Sequence, residues 1–141
     1  MSNTRRTFIK KAGTISTGIC CGLSSTILLN SCSSVKYISA KKESNKLKVP
    51  KLSLGEHQFA VIQYDGLPAP VYLNVTTQQA FLMLCTHKNC ELQPTGSFMT
   101  CPCHGSEFSN KGKVLNPPAD TNLNEYHTTS DNEFIYIHLK S

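Results

Sequence analysis

Two short cysteine–histidine segments constrain this chain more than any other feature of its sequence. The first segment reads Cys85-Thr86-His87-Lys88-Asn89-Cys90, and the second reads Cys101-Pro102-Cys103-His104-Gly105-Ser106. Each segment is short enough to aim one thiol and one imidazole at a single point. A fold that carries both segments must therefore present two loops whose side chains can share one site.

The residue types in these loops leave three kinds of site open. Two thiolates and two imidazoles can hold a tetrahedral zinc ion. The same four groups can hold an iron–sulfur cluster, with two cysteines on one iron and two histidines on the other. A disulfide framework without metal is the third alternative in an exported protein, and it accounts for the cysteines but leaves the nearby histidines unexplained.

The sequence beyond Leu52 predicts an all-β fold. Short runs rich in apolar, β-branched and aromatic residues alternate with turn residues such as Asp65-Gly66 and Pro117-Pro118. No segment keeps a 3.6-residue period over ten positions, so no long helix is expected. We predict a small antiparallel β fold. Its strands are expected at residues 59–64, 71–75, 80–84, 97–100, 114–115 and 133–139.

The positive charge of the chain is confined to its N-terminal third. Residues 1–31 carry four basic residues and no acid, and residues 32–51 carry six lysines and one glutamate. Residues 52–141 carry four lysines against eight acids, although the whole chain has a formal net charge of +5. This distribution does not describe a basic domain that binds nucleic acid, so no nucleic-acid partner is expected.

Residues 1–31 have the layout of an export signal. Arg5 and Arg6, followed by Phe8, resemble a twin-arginine signal, and a weakly apolar stretch follows them. That stretch ends at Ser31-Cys32 in a pattern similar to a bacterial lipobox, which predicts a lipid on Cys32. We interpret residues 32–51 as a flexible, lysine-rich tether and residues 52–141 as the globular domain.

The two cysteine–histidine loops resemble the paired boxes of Rieske iron–sulfur proteins. They are most similar to the subgroup with an extra cysteine in each box, found in cytochrome bc-type complexes and in the arsenite oxidase small subunit. The resemblance covers residues 52–141 and implies a Rieske-type β-sandwich with two cluster-binding loops and one [2Fe-2S] cluster.

The resemblance also implies a role for each residue of the two boxes. Cys85 and Cys101 are expected on one iron of the cluster, and His87 and His104 on the other. Ser106 is expected to direct its hydroxyl at a bridging sulfide. By the same resemblance, the two extra cysteines, Cys90 and Cys103, are expected to form a disulfide that clips the loops together.

Two positions depart from the family pattern. Lys88 stands where members from membrane complexes usually carry leucine, and this charge favours an acidic redox partner over an ordinary quinol pocket. Phe108 stands where those members tend to carry tyrosine, so a hydroxyl is missing. His57, His127 and His138 lie outside the loops, and we expect no ligand role for them.

These observations predict a one-electron carrier, an electron-transfer component of an oxidoreductase rather than a stand-alone enzyme. We expect it to be exported and held by a lipid anchor on the periplasmic side of a membrane. Its partner is expected to be a redox protein, such as a quinol-oxidising respiratory complex or a molybdenum enzyme. The alternative is a structural zinc-binding module of an exported protein. A Rieske oxygenase needs a second, iron-bearing catalytic domain, for which 141 residues leave no room.

Overall fold

The computed structural model describes residues 35–139, and nearly every regular element in that part of the chain is a β-strand. In chain order the elements are β1 (Lys36–Ser39), β2 (Lys41–Glu43), β3 (Lys46–Pro50), α1 (Lys51–Leu54), β4 (Phe59–Gln63), β5 (Val71–Asn74), β6 (Gln79–Leu82), β7 (Gln93–Pro94), β8 (Phe98–Thr100), β9 (Glu107–Ser109), β10 (Val114–Asn116), β11 (Glu125–Tyr126), β12 (Thr128–Ser130) and β13 (Phe134–His138). No helix within residues 35–139 is both long enough and apolar enough to cross a bilayer. The prediction of an all-β fold is confirmed.

Two packed sheets form the body of the domain. The central sheet has the strand order β1-β4-β5-β6-β11, in which β1 runs parallel to β4 and the other neighbours are antiparallel. The second sheet has the order β12-β13-β3-β2 and is antiparallel throughout. Apolar side chains from both sheets share one core, which is the arrangement of a β-sandwich. That core contains Ile38, Leu47, Val49, Leu54, Ala60, Ile62, Val71, Leu73, Ala80, Ile135, Ile137 and Leu139.

The other side of the central sheet supports a third, smaller sheet with the order β10-β9-β8-β7. β5 is buried on both faces, because Leu73 points into the first core while Tyr72 points into a second one. The second core also contains Phe108 from the small sheet and the thiols of Cys85 and Cys101. The small sheet therefore places both cysteine–histidine loops at the edge of a packed apolar layer.

The predicted tether is wrong over residues 36–50, which form the first three strands. β1 extends the central sheet beside β4, and β3 lies between β2 and β13 in the second sheet. Leu47 and Val49 are completely buried, while Lys48 between them faces outward. Lysines make this stretch polar on average, but strand geometry sends every second side chain into the core.

The six strands predicted from sequence are all present, and shorter ones accompany them. β7, β9, β11 and β12 contain only two or three residues each, which is too short to produce a recognisable period. They arise from pairing with longer neighbours rather than from local preference. The predicted export signal of residues 1–31 and the predicted lipid site at Cys32 lie outside the described residues.

Candidate metal centre

The first loop, residues 85–90, closes on itself through two backbone hydrogen bonds. The Cys85 N–H donates to the Cys90 carbonyl at 2.8 Å, and the Asn89 N–H donates to the Cys85 carbonyl at 2.8 Å. Asn89 has a φ of 54°, in the left-handed region, and asparagine is one of the few residues other than glycine that visits this region readily. The loop is therefore a tight ring that fixes the direction of the residues between its ends.

The second loop, residues 101–106, repeats the same pattern. The Cys101 N–H donates to the Ser106 carbonyl at 2.8 Å, and the Gly105 N–H donates to the Cys101 carbonyl at 3.0 Å. Gly105, with a φ of 79°, occupies the position that asparagine takes in the first loop. The two loops are thus equivalent turns, and each begins with a cysteine in the same structural position.

The loops direct their thiols inward and their imidazoles outward. Cys85 and Cys101 are free thiols with exposed fractions of 0% and 3%. His87 is partly exposed and His104 is exposed. The centroids of the two imidazole rings lie 5.0 Å apart with their planes at 79°, so the rings meet edge to face. Of the four side chains that the sequence predicts as a ligand set, the two thiols therefore lie together in the second core, and the two imidazoles lie together on the outer side of the loops.

The Cys85 thiol lies among several hydrogen-bonding groups. Burial raises the pKa of this thiol, but the hydrogen bonds around it lower the pKa more, so that it falls below its ordinary value. In order of effect, the groups that lower it are the His87 backbone, the Cys101 side chain, the Lys88 backbone and the Ser106 side chain. The thiolate is the form that binds a metal, so a lowered pKa agrees with the ligand role that the sequence predicts for Cys85.

His87 carries an unsatisfied nitrogen at this site. Within residues 35–139, its Nδ1 is the one buried side-chain nitrogen or oxygen that has no hydrogen-bond partner. A buried polar atom left unpaired costs about 1–3 kcal/mol. A metal bonded to that nitrogen would remove the cost. The two neighbouring thiols are not in a disulfide, so they are also available to a metal. This set of donors fits an iron–sulfur cluster or a zinc ion.

A disulfide joins the two loops, as predicted. Cys90 and Cys103 are bonded with an S–S distance of 2.03 Å and a Cα–Cα distance of 6.5 Å. The Cys101 sulfur lies within 4.8 Å of both disulfide sulfurs. Disulfide sulfurs carry no thiolate, so this pair acts as a covalent clip beside the donor set and contributes no ligand.

A third segment, residues 117–121, is bonded to both loops. The Thr86 hydroxyl donates to the Thr121 carbonyl at 2.6 Å, and the Ala119 N–H donates to the Ser106 hydroxyl at 3.0 Å. Ser106 is completely buried, so its hydroxyl is held in place by the segment that covers it. Sequence reasoning did not identify Thr86 or Thr121. The only feature of this segment that the sequence singled out was the turn pair Pro117-Pro118.

The other three histidines lie outside the loops. His127 and His138 face each other across β12 and β13, with ring centroids 4.9 Å apart, and the His138 Nε2 lies 2.8 Å from the Thr129 hydroxyl oxygen. His57 is partly buried and precedes β4. Of the two positions that depart from the expected pattern, Lys88 is exposed on the first loop and Phe108 is completely buried in the second core.

Comparison with known proteins gives one consistent result. A family model described as "Rieske [2Fe-2S] domain" matches residues 35–127, which begin where the described strands begin. The cytochrome b6-f complex iron-sulfur subunit of Trichodesmium erythraeum is 33% identical over 85 residues, or 58% of this chain and 43% of that subunit. The corresponding subunit 2 of the Cyanophora paradoxa cyanelle is 31% identical over 91 residues, or 62% of this chain and 34% of that subunit.

Similarity to a solved structure extends over nearly all of that structure. The cyanobacterial plasma membrane Rieske protein PetC3 from Synechocystis PCC 6803 has a TM-score of 0.51 and 28% sequence identity, covering 62% of this chain and 93% of that chain. By contrast, the matching part of this chain spans less than half the length of the two cytochrome subunits.

Proposed function

The chain belongs to the Rieske [2Fe-2S] domain family, and from this premise we propose that it transfers single electrons through one cluster held between its two loops. The proposed ligands are Cys85, His87, Cys101 and His104. The observation that supports the assignment is the pair of equivalent turns, in which the two reduced thiols interact with each other and the two imidazole rings lie 5.0 Å apart. This makes the chain an electron-transfer component of an oxidoreductase.

The cluster, when bound, supplies a one-electron centre whose potential lies between about −150 and +300 mV, because two neutral imidazoles replace two thiolates. The residues of the chain determine how far water and a partner protein can approach the cluster. The buried thiols hold the inner side of the site in an apolar core that excludes water. The exposed His104 brings the outer side to the surface, where a partner can approach and where the free ring nitrogen can exchange a proton with water.

Ser106 is proposed to raise the potential of this site. Its buried hydroxyl accepts a hydrogen bond from the Ala119 N–H and also bonds the Cys85 thiol. A hydrogen bond to sulfur withdraws electron density and stabilises the reduced state, which carries more negative charge.

Ser106→Ala is therefore expected to lower the potential, by on the order of 40–90 mV for a difference of about 1–2 kcal/mol between the two redox states. Phe108→Tyr is expected to raise it, because the added hydroxyl supplies a second donor. Protein-film voltammetry measures both shifts. Thr86→Val is the control, since it removes a hydrogen bond to residues 117–121 without removing a donor to sulfur. An unchanged potential in Ser106→Ala would refute this role.

We propose that the protein works outside the cytoplasm, attached to a membrane by a lipid on Cys32. The support is the arginine pair and the lipobox-like sequence of residues 1–32. Twin-arginine export carries folded proteins, which suits a domain that acquires its cluster before it leaves the cytoplasm. The relatives named as cytochrome b6-f subunits, and the one named as a plasma membrane protein, are consistent with a membrane location.

The proposed partner is a redox protein of a respiratory or molybdenum oxidoreductase complex. Two of the similar relatives are named as subunits of the cytochrome b6-f complex, which supports a role within a redox assembly. Lys88 is exposed beside His87 on the first loop and gives the contact surface a positive charge. An acidic patch on the partner would complement this charge and speed the encounter at low salt.

Export and anchoring are tested by two sets of variants. The double variant Arg5→Lys with Arg6→Lys is expected to remain in the cytoplasm, because the twin-arginine machinery would no longer accept it. Cys32→Ser is expected to release the protein from the membrane fraction, because the acylation site is gone. Immunoblots of cell fractions measure both results. Membrane attachment of the Cys32→Ser variant at the wild-type level would instead assign the anchor to an uncleaved N-terminal segment.

Metal analysis of the purified protein tests the proposed function itself. Two irons and two acid-labile sulfides per chain are expected, together with the visible absorption of an iron–sulfur protein. One zinc ion per chain and a colourless protein would support the structural zinc alternative. The two outcomes differ in metal, stoichiometry and colour, so a single preparation distinguishes them.

A further inference from the structure

An uncharged groove lies beside the start of β1, the first strand of the domain. The groove has a volume of about 650 Å³, and its lining includes Val35, Tyr37, Phe59, Pro94, Ser97 and Asn110. No acidic or basic side chain lines it. Tyr37 is 57% exposed at its edge, which is unusual for a large aromatic side chain in this domain. We call the surface formed by Val35, Tyr37 and Pro94 the base surface; Phe59 lies buried at the floor of the groove.

The base surface lies at the end of the small sheet away from the cysteine–histidine loops. Ser97 lies at one end of β8 and Cys101 follows its other end. The Asn110 N–H donates to the Ser97 carbonyl at 3.0 Å, which places the turn after β9 beside Ser97. Four residues of strand span roughly 13 Å, so the loops begin about that far from the groove and extend beyond it.

Little chain separates the base surface from the proposed lipid site. Cys32 lies three residues before Val35, and three residues span at most about 11 Å even when fully extended. Since residues 36–50 form strands, they cannot act as the spacer that the sequence suggested. A lipid on Cys32 would therefore hold Val35, at the edge of the base surface, within about 11 Å of the backbone of the acylated residue.

We propose that the base surface rests on the lipid headgroups of the membrane, so that the cysteine–histidine loops face the aqueous side. This inference rests on the proposed lipid anchor. A tyrosine beside an uncharged groove suits the headgroup layer, where amphipathic aromatic rings are favoured. Lys36 is also exposed at this end of β1, on the other face of the strand from Tyr37, and adds attraction to anionic headgroups. The electron partner would then meet the loops above the membrane surface rather than within the lipid.

Single tryptophans test this orientation, since the sequence contains none. Tyr37→Trp reports on the base surface. Leu115→Trp reports on the opposite end, because neighbouring Asn116 donates from its Nδ2 to the Gly105 carbonyl of the second loop at 3.2 Å. The two positions are a matched pair, with exposed fractions of 57% for Tyr37 and 59% for Leu115.

The acylated, full-length mature protein is added to preformed vesicles of phosphatidylethanolamine and phosphatidylglycerol that contain a headgroup spin-labelled lipid. Quenching by that lipid and by aqueous acrylamide is measured for each variant, relative to the same variant carrying Cys32→Ser. Because the same tryptophan is compared with and without the anchor, any quenching of its fluorescence by energy transfer to the cluster is the same in both proteins. Co-sedimentation with the vesicles is measured on the same samples.

The expected result is at least twofold protection of Tyr37→Trp from acrylamide, with quenching by the labelled lipid. Leu115→Trp is expected to stay as accessible as in the unanchored protein. If the protein sediments with vesicles but Leu115→Trp is the shielded position, or both are equally accessible, the orientation is refuted while the anchor stands. If the protein does not sediment, both the anchor and the orientation fail.

Discussion

Cys101→Ser is expected to remove the EPR signal of the reduced cluster completely and to leave the purified protein without iron. Cys101 is 3% exposed and points into the site from the start of the second loop. Serine has nearly the same size, so the ring of backbone hydrogen bonds can persist. Its hydroxyl keeps its proton at neutral pH, however, and is a poor ligand for iron where a thiolate is required.

The same loss is expected for Cys85→Ser, His87→Ala and His104→Ala, because each removes one of four ligands. His127→Ala provides the matched control, since it removes an exposed imidazole that lies far along the chain from both loops. That variant is expected to retain full iron content and a normal signal. Circular dichroism of each variant separates loss of the cluster from loss of the fold. A Cys101→Ser protein with normal iron and a normal signal would refute the ligand assignment.

Removal of the disulfide is expected to allow cluster assembly but to shorten the life of the assembled cluster. The bond joins positions 13 residues apart, and closing a loop of that size restricts the unfolded chain by about 3 kcal/mol. The segment of residues 117–121 still bonds both loops, so they remain close without the disulfide. Faster loss of visible absorbance, by roughly tenfold or more on heating, is the expected readout.

The two ways of removing the disulfide should differ. Cys90→Ser leaves the Cys103 thiol free, and the Cys101 sulfur lies within 4.8 Å of it. In an oxidising medium these two thiols can pair and withdraw a proposed ligand from the site. The double variant Cys90→Ser with Cys103→Ser has no spare thiol and should keep its cluster longer than the single variant. Equal cluster lifetimes in wild type, single and double variants would show that the clip has no protective role.

The sequence predicted the strands and loops whose residues carry a clear local pattern. Apolar and polar residues alternate over residues 133–139, and in β13 the side chains of Ile135 and Ile137 are buried while their neighbours are partly exposed. The convergence of the two loops was also predicted, because residue type and spacing together limit what such loops can do. The disulfide between Cys90 and Cys103 is present, whereas the roles of the four proposed ligands stay predictions.

The tether was misassigned because average polarity concealed a strand pattern. Leu47 and Val49 alternate with Lys46 and Lys48, and this period of two is visible in the sequence. The lysine side chains are accommodated by packing across the sheet, since Lys48 Nζ lies 4.3 Å from the centroid of the Phe134 ring. Such a contact depends on a strand far away in sequence, so the local composition could not indicate it.

The equivalence of the two loops could not be predicted for a different reason. It depends on backbone hydrogen bonds and on left-handed conformations at Asn89 and Gly105. The histidine lies two residues after the cysteine in the first loop and three after it in the second, so the sequences do not align as a repeat. Only the backbone reveals that both cysteines begin the same turn.

A potentiometric titration of the purified protein, followed by EPR, shows directly whether the two loops hold a Rieske cluster. The expected result is one cluster per chain that takes up a single electron, with a midpoint potential between about −150 and +300 mV. The signal is also expected to account for all the iron in the sample. A protein that contains zinc and gives no signal, or a cluster with a midpoint near the −400 mV that is typical of ferredoxins with four cysteine ligands, would contradict the presence of a Rieske cluster.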